Sequence, residues 1–352
     1  MLPATMKAVL LNGHGGFEQL EYREDVAVPV AGPGEVLIRV GAAALNNTDV
    51  NTRIGWYSKS ATDGTSAGVG GEDIDGRAWT GATLVFPRIQ GTDACGRVVA
   101  VGSGVDAARI GQRVLVDPVL RPANGPPGYF ASECDGAFAE FTRVPTENAR
   151  AVASDLTDVE LASFPCSYST AENMLTRAEV GDGDTVLVTG ASGGVGSAAV
   201  QLARRRGATV IALAGQPKAA LLASLGARRV LPRDADLVHE LGRESVDAVI
   251  DVVGGRQFAA LLELLRRDGC YAVAGAIAGP LVALDLRTLY LKDLRLIGCT
   301  IQDPEVFGNL VGFIERAEIR PLVAATYPLR DIVAAQEDFL SKRHVGKIVL
   351  VP

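Results

Sequence analysis

The 352-residue chain has no uninterrupted apolar run of the roughly 20 residues that a membrane-spanning helix needs. Its opening, MLPATMKAVLLNGHGG, carries too short an apolar stretch for a secretory signal. Together these absences predict a cytoplasmic protein with no membrane partner. Basic clusters are also missing beyond Arg204 to Arg206, and the net charge is -7. Three arginines closing an amphipathic run suit a solvated helix end near its negative dipole pole, so nucleic acid is not expected as the main ligand. The three histidines, His14, His239 and His344, show neither triad nor metal spacing. Five cysteines (Cys95, Cys134, Cys166, Cys270, Cys299) are scattered without a CxxC pair, which argues against a disulfide framework or a zinc ribbon. What remains is ordinary: 48% hydrophobic and 21% charged residues, in a chain long enough for two domains.

The first part reads as β structure. MKAVLLNG, EVLIRVGAAAL, GRVVAVGSGV and QRVLVDP are short and aliphatic, with Gly, Pro and Asn between them. A polar stretch at 58–81 cannot support a core and is expected as a long loop rimming the pocket. From about residue 183 the rhythm changes to strand and helix in alternation, beginning with DTVLVTG and GGVGSAAVQLARRRG. That alternation predicts an α/β fold, a doubly wound parallel sheet inserted into a β-rich domain. The expected domains are 1–150 with 298–352, and 151–297.

TGASGGVGSAA (189–199) lies between a predicted strand and a predicted helix, the context a dinucleotide-binding loop requires. Ser192, Gly193, Gly194, Val195 and Gly196 form its turn. Gly193 lets backbone approach a pyrophosphate, Gly196 lets the helix pack closely on the strand, and the helix N-terminus faces phosphate with free N–H groups. The second strand ends IALAGQPK, without the acid that would hold an NAD ribose. Gly215 leaves room there for a 2′-phosphate, and Lys218 and Arg233 bring positive charge. These features favour NADPH over NADH; the bland alternative for each charge is a solvated surface residue.

These segments together with GPGEVLIRVGAAALNNTDVNTRIGWY, GTDACGRVVAVGSGV, DGAFAEF, STAENML and VGKIVLVP resemble the medium-chain dehydrogenase/reductase superfamily, most of all its zinc-independent, quinone oxidoreductase-like branch. The resemblance covers nearly the whole chain and implies a GroES-like catalytic domain around the Rossmann domain. It places the family's three catalytic zinc ligands at Asn46, Thr92 and Cys166, so that two of three are lost, and no zinc is expected. It also implies Asn46 beside the acceptor oxygen as a donor, Tyr57 as a pocket residue, and Thr48 at the position of a proton-relay hydroxyl. Each has a plainer alternative: Asn46 and Thr48 as caps, Tyr57 packed under the loop. Thr170 and Gly275 fall beside the nicotinamide end of the cofactor, and Thr170 could also cap the helix AENMLTRA. Lys347 falls near the cofactor ribose, or on the surface. Asp49 reads as a structural acceptor, and Cys166 as a small buried thiol. The expected activity is hydride transfer from NADPH to a quinone or α,β-unsaturated carbonyl. A zinc-free alcohol or aldehyde dehydrogenase and a non-catalytic NADPH-binding sensor remain as alternatives. A homodimer is expected, with LRLIGCT extending a sheet across two copies.

Overall fold

A computed structural model describes residues 2–65, 76 and 83–352. Most of the loop expected at 58–81 lies outside the described residues. The backbone divides into two units, one of Met1–Ala61, Gly68–Cys166 and Phe307–Pro352, the other of Thr62–Ala67 and Ser167–Val306.

In the first unit, the strand Glu35–Ala44 is central to a seven-stranded sheet. Its sequence EVLIRVGAAA is apolar almost throughout, and Val36, Ile38 and Val40 enter a core with Phe130, Phe138 and Leu350. On one side it pairs antiparallel with Asp93–Val101, on the other with Lys347–Val351. Ala44 is the meeting point: Asp93 lies opposite it across one ladder and Val349 across the other. The register therefore gathers the first residues of two flanking strands where the central strand ends. There the chain turns through Leu45 and Asn46 into the helix Asn47–Arg53.

The second unit holds a six-stranded parallel sheet. In space its strands run Ala227–Leu231, Thr209–Leu213, Thr185–Val188, Val246–Asp251, Leu265–Val273 and Arg295–Gly298. This is the doubly wound order, reversing between Thr185–Val188 and Val246–Asp251. Val186, Leu187 and Val188 are fully buried, as expected for a strand covered on both faces.

Two boundaries are set by contacts rather than by local pattern. Within RQFAALLELLRRDG, the helix Phe258–Leu264 gives way at once to the strand Leu265–Val273. Pairing of Leu265 with Val246 draws the chain into the sheet, and Asp268 then takes a positive φ of 63°. The seams between units fall at 166/167 and 306/307 rather than near 150 and 298. Asp158, beyond the expected first seam, accepts from Arg113 Nε at 2.7 Å, and Glu315 accepts from Ala153 N at 2.9 Å, which keeps both segments with the first unit. Among the described residues no helix is long and apolar enough to cross a membrane.

Candidate active site

The turn after the central strand of the first unit carries a buried polar cluster. Asn46, at the N-cap of Asn47–Arg53, is 6% exposed, Asp93 0% and Lys347 3%. The Lys347 ammonium lies 2.9 Å from Asp93 Oδ2 and donates to Asn46 Oδ1. Asn46 Nδ2 donates to the same Asp93 oxygen at 2.9 Å and to the Ala44 carbonyl at 3.3 Å. The other Asp93 oxygen accepts from the backbone N–H of Cys166 at 2.5 Å. Three side chains thus close a ring, and the carboxylate reaches from it to the start of the helix Pro165–Arg177.

This arrangement corrects two expectations. Asn46 is not a spare donor for an acceptor oxygen, because both its amide hydrogens have protein partners; it holds the cap position of the plainer reading. Lys347 is not a surface lysine: it is buried, and its ammonium is turned to Asp93 and Asn46. Asp49 behaves as the structural acceptor foreseen, taking Asn46 N–H at 2.8 Å and Gly91 N–H at 3.2 Å. Burial pushes its carboxyl up to about 7 against these bonds and the nearby Lys347 charge.

Tyr57 is half-buried, with its hydroxyl close to the side chains of Asn51 and Thr48. Two of the three candidate catalytic residues are therefore brought together, and Thr48 sits inside the helix rather than capping it. Burial raises the Tyr57 phenol to about 12, so it stays protonated at neutral pH and can donate a hydrogen bond. Cys166 is 6% exposed, and its thiol is raised to about 12 by burial and by Asp93. It meets the Tyr129 hydroxyl at 3.5 Å. A thiol held neutral in this way is not a nucleophile.

The second unit contains the glycine turn. The helix Gly194–Arg205 starts from Gly193 as N-cap and aims its first N–H groups out of the loop. A Cβ on Gly196 would stand 2.3 Å from the Gly190 carbonyl oxygen, so the close helix–strand approach demands glycine there. On Gly193 the nearest atom would be 3.5 Å away, an ordinary contact; the fold itself does not demand that glycine. Ser192 Oγ lies 3.3 Å from the Lys218 ammonium. Burial lowers the Lys218 pKa, and the Arg233 charge lowers it further, so the two cations lie within electrostatic reach. A Cβ on Gly215 would meet nothing closer than Pro217 Cδ at 3.9 Å. Gly275 lies just beyond the strand Leu265–Val273, its Cβ position 3.0 Å from the Val252 carbonyl. Thr170 is not an N-cap: its helix begins at Pro165, and Thr170 lies in the second turn.

Two profiles describe these halves in known proteins. Residues 32–154 match the alcohol dehydrogenase GroES-like domain, and residues 194–316 match the zinc-binding dehydrogenase domain. The chain is 30% identical to an acryloyl-coenzyme A reductase of Metallosphaera sedula, over 98% of this chain and 99% of that protein. It is 27% identical to the quinone oxidoreductase of Rattus norvegicus, over 98% of each. The chain belongs to the medium-chain dehydrogenase/reductase superfamily, in its quinone oxidoreductase-like branch. Among solved structures, a Sinorhizobium meliloti protein assigned as an alcohol dehydrogenase superposes with a TM-score of 0.90 at 50% identity, covering 100% of this chain and 98% of that one. The fold is accordingly the superfamily's GroES-like unit with a Rossmann-type sheet, and the protein is an oxidoreductase of the nicotinamide-dependent kind.

Within this superfamily member, sequence reasoning missed two buried acids. Asp93 anchors the first-unit cluster. Asp251 ends its strand at 0% exposure, where it accepts from the Thr189 and Tyr271 hydroxyls and from Val253 N at 2.7 Å, steadying the base of the glycine turn. The available signal was an acid set within an aliphatic strand, GTDACGRVVAV and VDAVIDVV, where only a partnered carboxylate is tolerated.

Proposed function

We propose that this protein is an NADPH-dependent reductase that delivers hydride to a quinone or an α,β-unsaturated carbonyl without a metal ion. The observation that carries the reading is the closed Asn46–Asp93–Lys347 ring. The domain description implies zinc, but the residues at the family's metal position do not suit it. Asn46 is bonded on both its amide oxygen and nitrogen, Thr92 offers a hydroxyl, Cys166 is the one soft donor of the three, and an ammonium lies against Asn46 and Asp93. Zinc favours thiolate and imidazole donors and is repelled by a fixed cation.

Without a Lewis acid, a simple alcohol or ketone is a poor substrate, whereas an acceptor already activated by conjugation needs only orientation and a proton. The names of the two relatives, an acryloyl-coenzyme A reductase and a quinone oxidoreductase, support acceptors of that chemistry. When bound, NADPH supplies the hydride. The chain's own part is to hold its pyrophosphate on the Gly193–Val195 N–H groups and its 2′-phosphate between Lys218 and Arg233 in the space that Gly215 leaves open. Tyr57, with Thr48 behind it, presents a hydroxyl to the acceptor. Thr170, Gly275 and Ser192 complete the proposed cofactor contacts.

A second copy of the chain is proposed as partner. The strand Arg295–Gly298 is an edge of its sheet, Leu296 on it is 37% exposed, and Leu286 and Tyr290, one turn apart on their helix, are 63% and 61% exposed. The deciding experiment follows NADPH oxidation by metal-analysed protein against quinones, enones, aldehydes and alcohols. Turnover of quinones or enones, unaffected by chelators, is expected. Stoichiometric zinc, or activity confined to alcohols, would refute the proposal, and tight NADPH binding without turnover would favour a sensor.

A further inference from the structure

The first-unit cluster contains a cation that belongs to the protein itself. Lys347 opens its strand and is tethered by the backbone on both sides: its N–H bonds the Leu322 carbonyl at 2.8 Å, and the next residue, Ile348, accepts from Leu45 N–H at 2.9 Å. Leu45 precedes Asn46, so the lysine side chain is delivered to the N-cap amide by the same ladder that fixes Asn46. A long lysine side chain at 3% exposure is rare without a counterion, and this one has a fully buried carboxylate at 2.9 Å. The arrangement is more than a neutralised pair. Asp93 Oδ2 takes both Lys347 and Asn46, so one carboxylate oxygen aligns two donors, and Lys347 in turn fixes which end of the Asn46 amide faces it.

We infer that Lys347 is the resident cation of this site and the positioning residue for Asn46: its ammonium supplies, on a covalent tether, the positive charge that a zinc ion would bring to the family's metal position. Through Asn46 it sets the start of the helix that carries Thr48. The inference rests on the metal-free reading above. It differs from a ribose contact in what it predicts. A ribose contact acts on NADPH affinity, whereas a tethered cation acts on the site before any cofactor arrives.

The test uses the full chain. Side-chain nitrogen NMR of the wild type without cofactor should show one slowly exchanging lysine ammonium that is absent from Lys347→Met. Lys347→Met leaves a buried carboxylate without its counterion and should lower the Tm by about 10 °C. Lys347→Met combined with Asp93→Asn, which removes both charges, should recover most of that loss. In turnover, Lys347→Met should lower kcat about tenfold with the Kd for NADPH unchanged, and Lys347→Arg should restore part of it. Adding Asn46→Ala to Lys347→Met should lower kcat little further, because the two act as one unit. A raised Kd for NADPH with unchanged Tm, or stability losses that add in the double variant, would overturn the inference. If Lys347→Met does not fold, the wild-type spectrum decides: a Lys347 ammonium that exchanges as fast as surface lysines, identified by its loss in Lys347→Arg, defeats it. Failure of the metal-free reading is seen separately, in the zinc content of the wild type.

Discussion

Asp49 makes stability fall as pH rises through the weakly acidic range. Its carboxyl is 2% exposed and lifted from 3.8 to about 7 by burial. Tenfold in proton affinity is about 1.4 kcal/mol, so ionising Asp49 in the folded chain costs about 4 kcal/mol more than in the unfolded one. The folded pKa is the higher, so the folded state binds the proton more tightly. The resulting stability is fully present below pH about 4, declines between about 4 and 7, and is gone above that. Asp49→Asn removes this dependence. The amide can accept from only one of the two N–H groups, Asn46 or Gly91, so the exchange itself should cost about 1–3 kcal/mol, independent of pH, measured against the protonated wild type. Urea unfolding of both proteins from pH 4 to pH 8 isolates the effect as a difference of differences. Relative to the wild type, the variant should gain about 4 kcal/mol across that range, being the less stable at pH 4 and equal or better at pH 8. Because the Lys347 charge favours ionisation of Asp49, Lys347→Met should move the declining segment to higher pH. Curves that run parallel across the range would refute the reasoning.

Three further outcomes are expected. Lys218→Ala and Arg233→Ala should each weaken NADPH about tenfold, the effect of one charge-assisted phosphate contact, and leave NADH unchanged; equal losses for both cofactors in titration calorimetry would remove the 2′-phosphate site. Tyr57→Phe should lower kcat roughly 10- to 100-fold in the NADPH-oxidation assay while the Tm stays in place, and unchanged kinetics would take the hydroxyl out of the site. Leu296→Arg should shift the protein to a monomer in sedimentation, since it sets a charge on the edge strand where a second sheet would pair; an unchanged mass would move the interface elsewhere.

Some of this was legible in the chain and some was not, and the division follows range. The strand–helix alternation from residue 183 and the turn SGGVG depend on neighbours a few residues apart, so a linear reading finds them. It even assigns separate duties to Gly196 and Gly193, which the space around each Cβ position separates in the same way: 2.3 Å against 3.5 Å to the nearest atom. Thr170 shows a local reading choosing the wrong signal. A threonine before AENML is a good cap, but Pro165, whose fixed φ suits a first helical turn, starts the helix five residues earlier. The ring of Asn46, Asp93 and Lys347 could not be read in this way. Its members stand at three distant points, and they meet only because two strands take up register against Ala44 from opposite sides. Nothing local to GKIVLV marks its lysine as buried rather than solvated. The mark lies in GTDACGRVVAV, where an acid inside an aliphatic strand has to find a partner, and the register admits one cation to it. Asp93 carries its charge beside Asn46, and the lysine that the fold brings to the same point answers it.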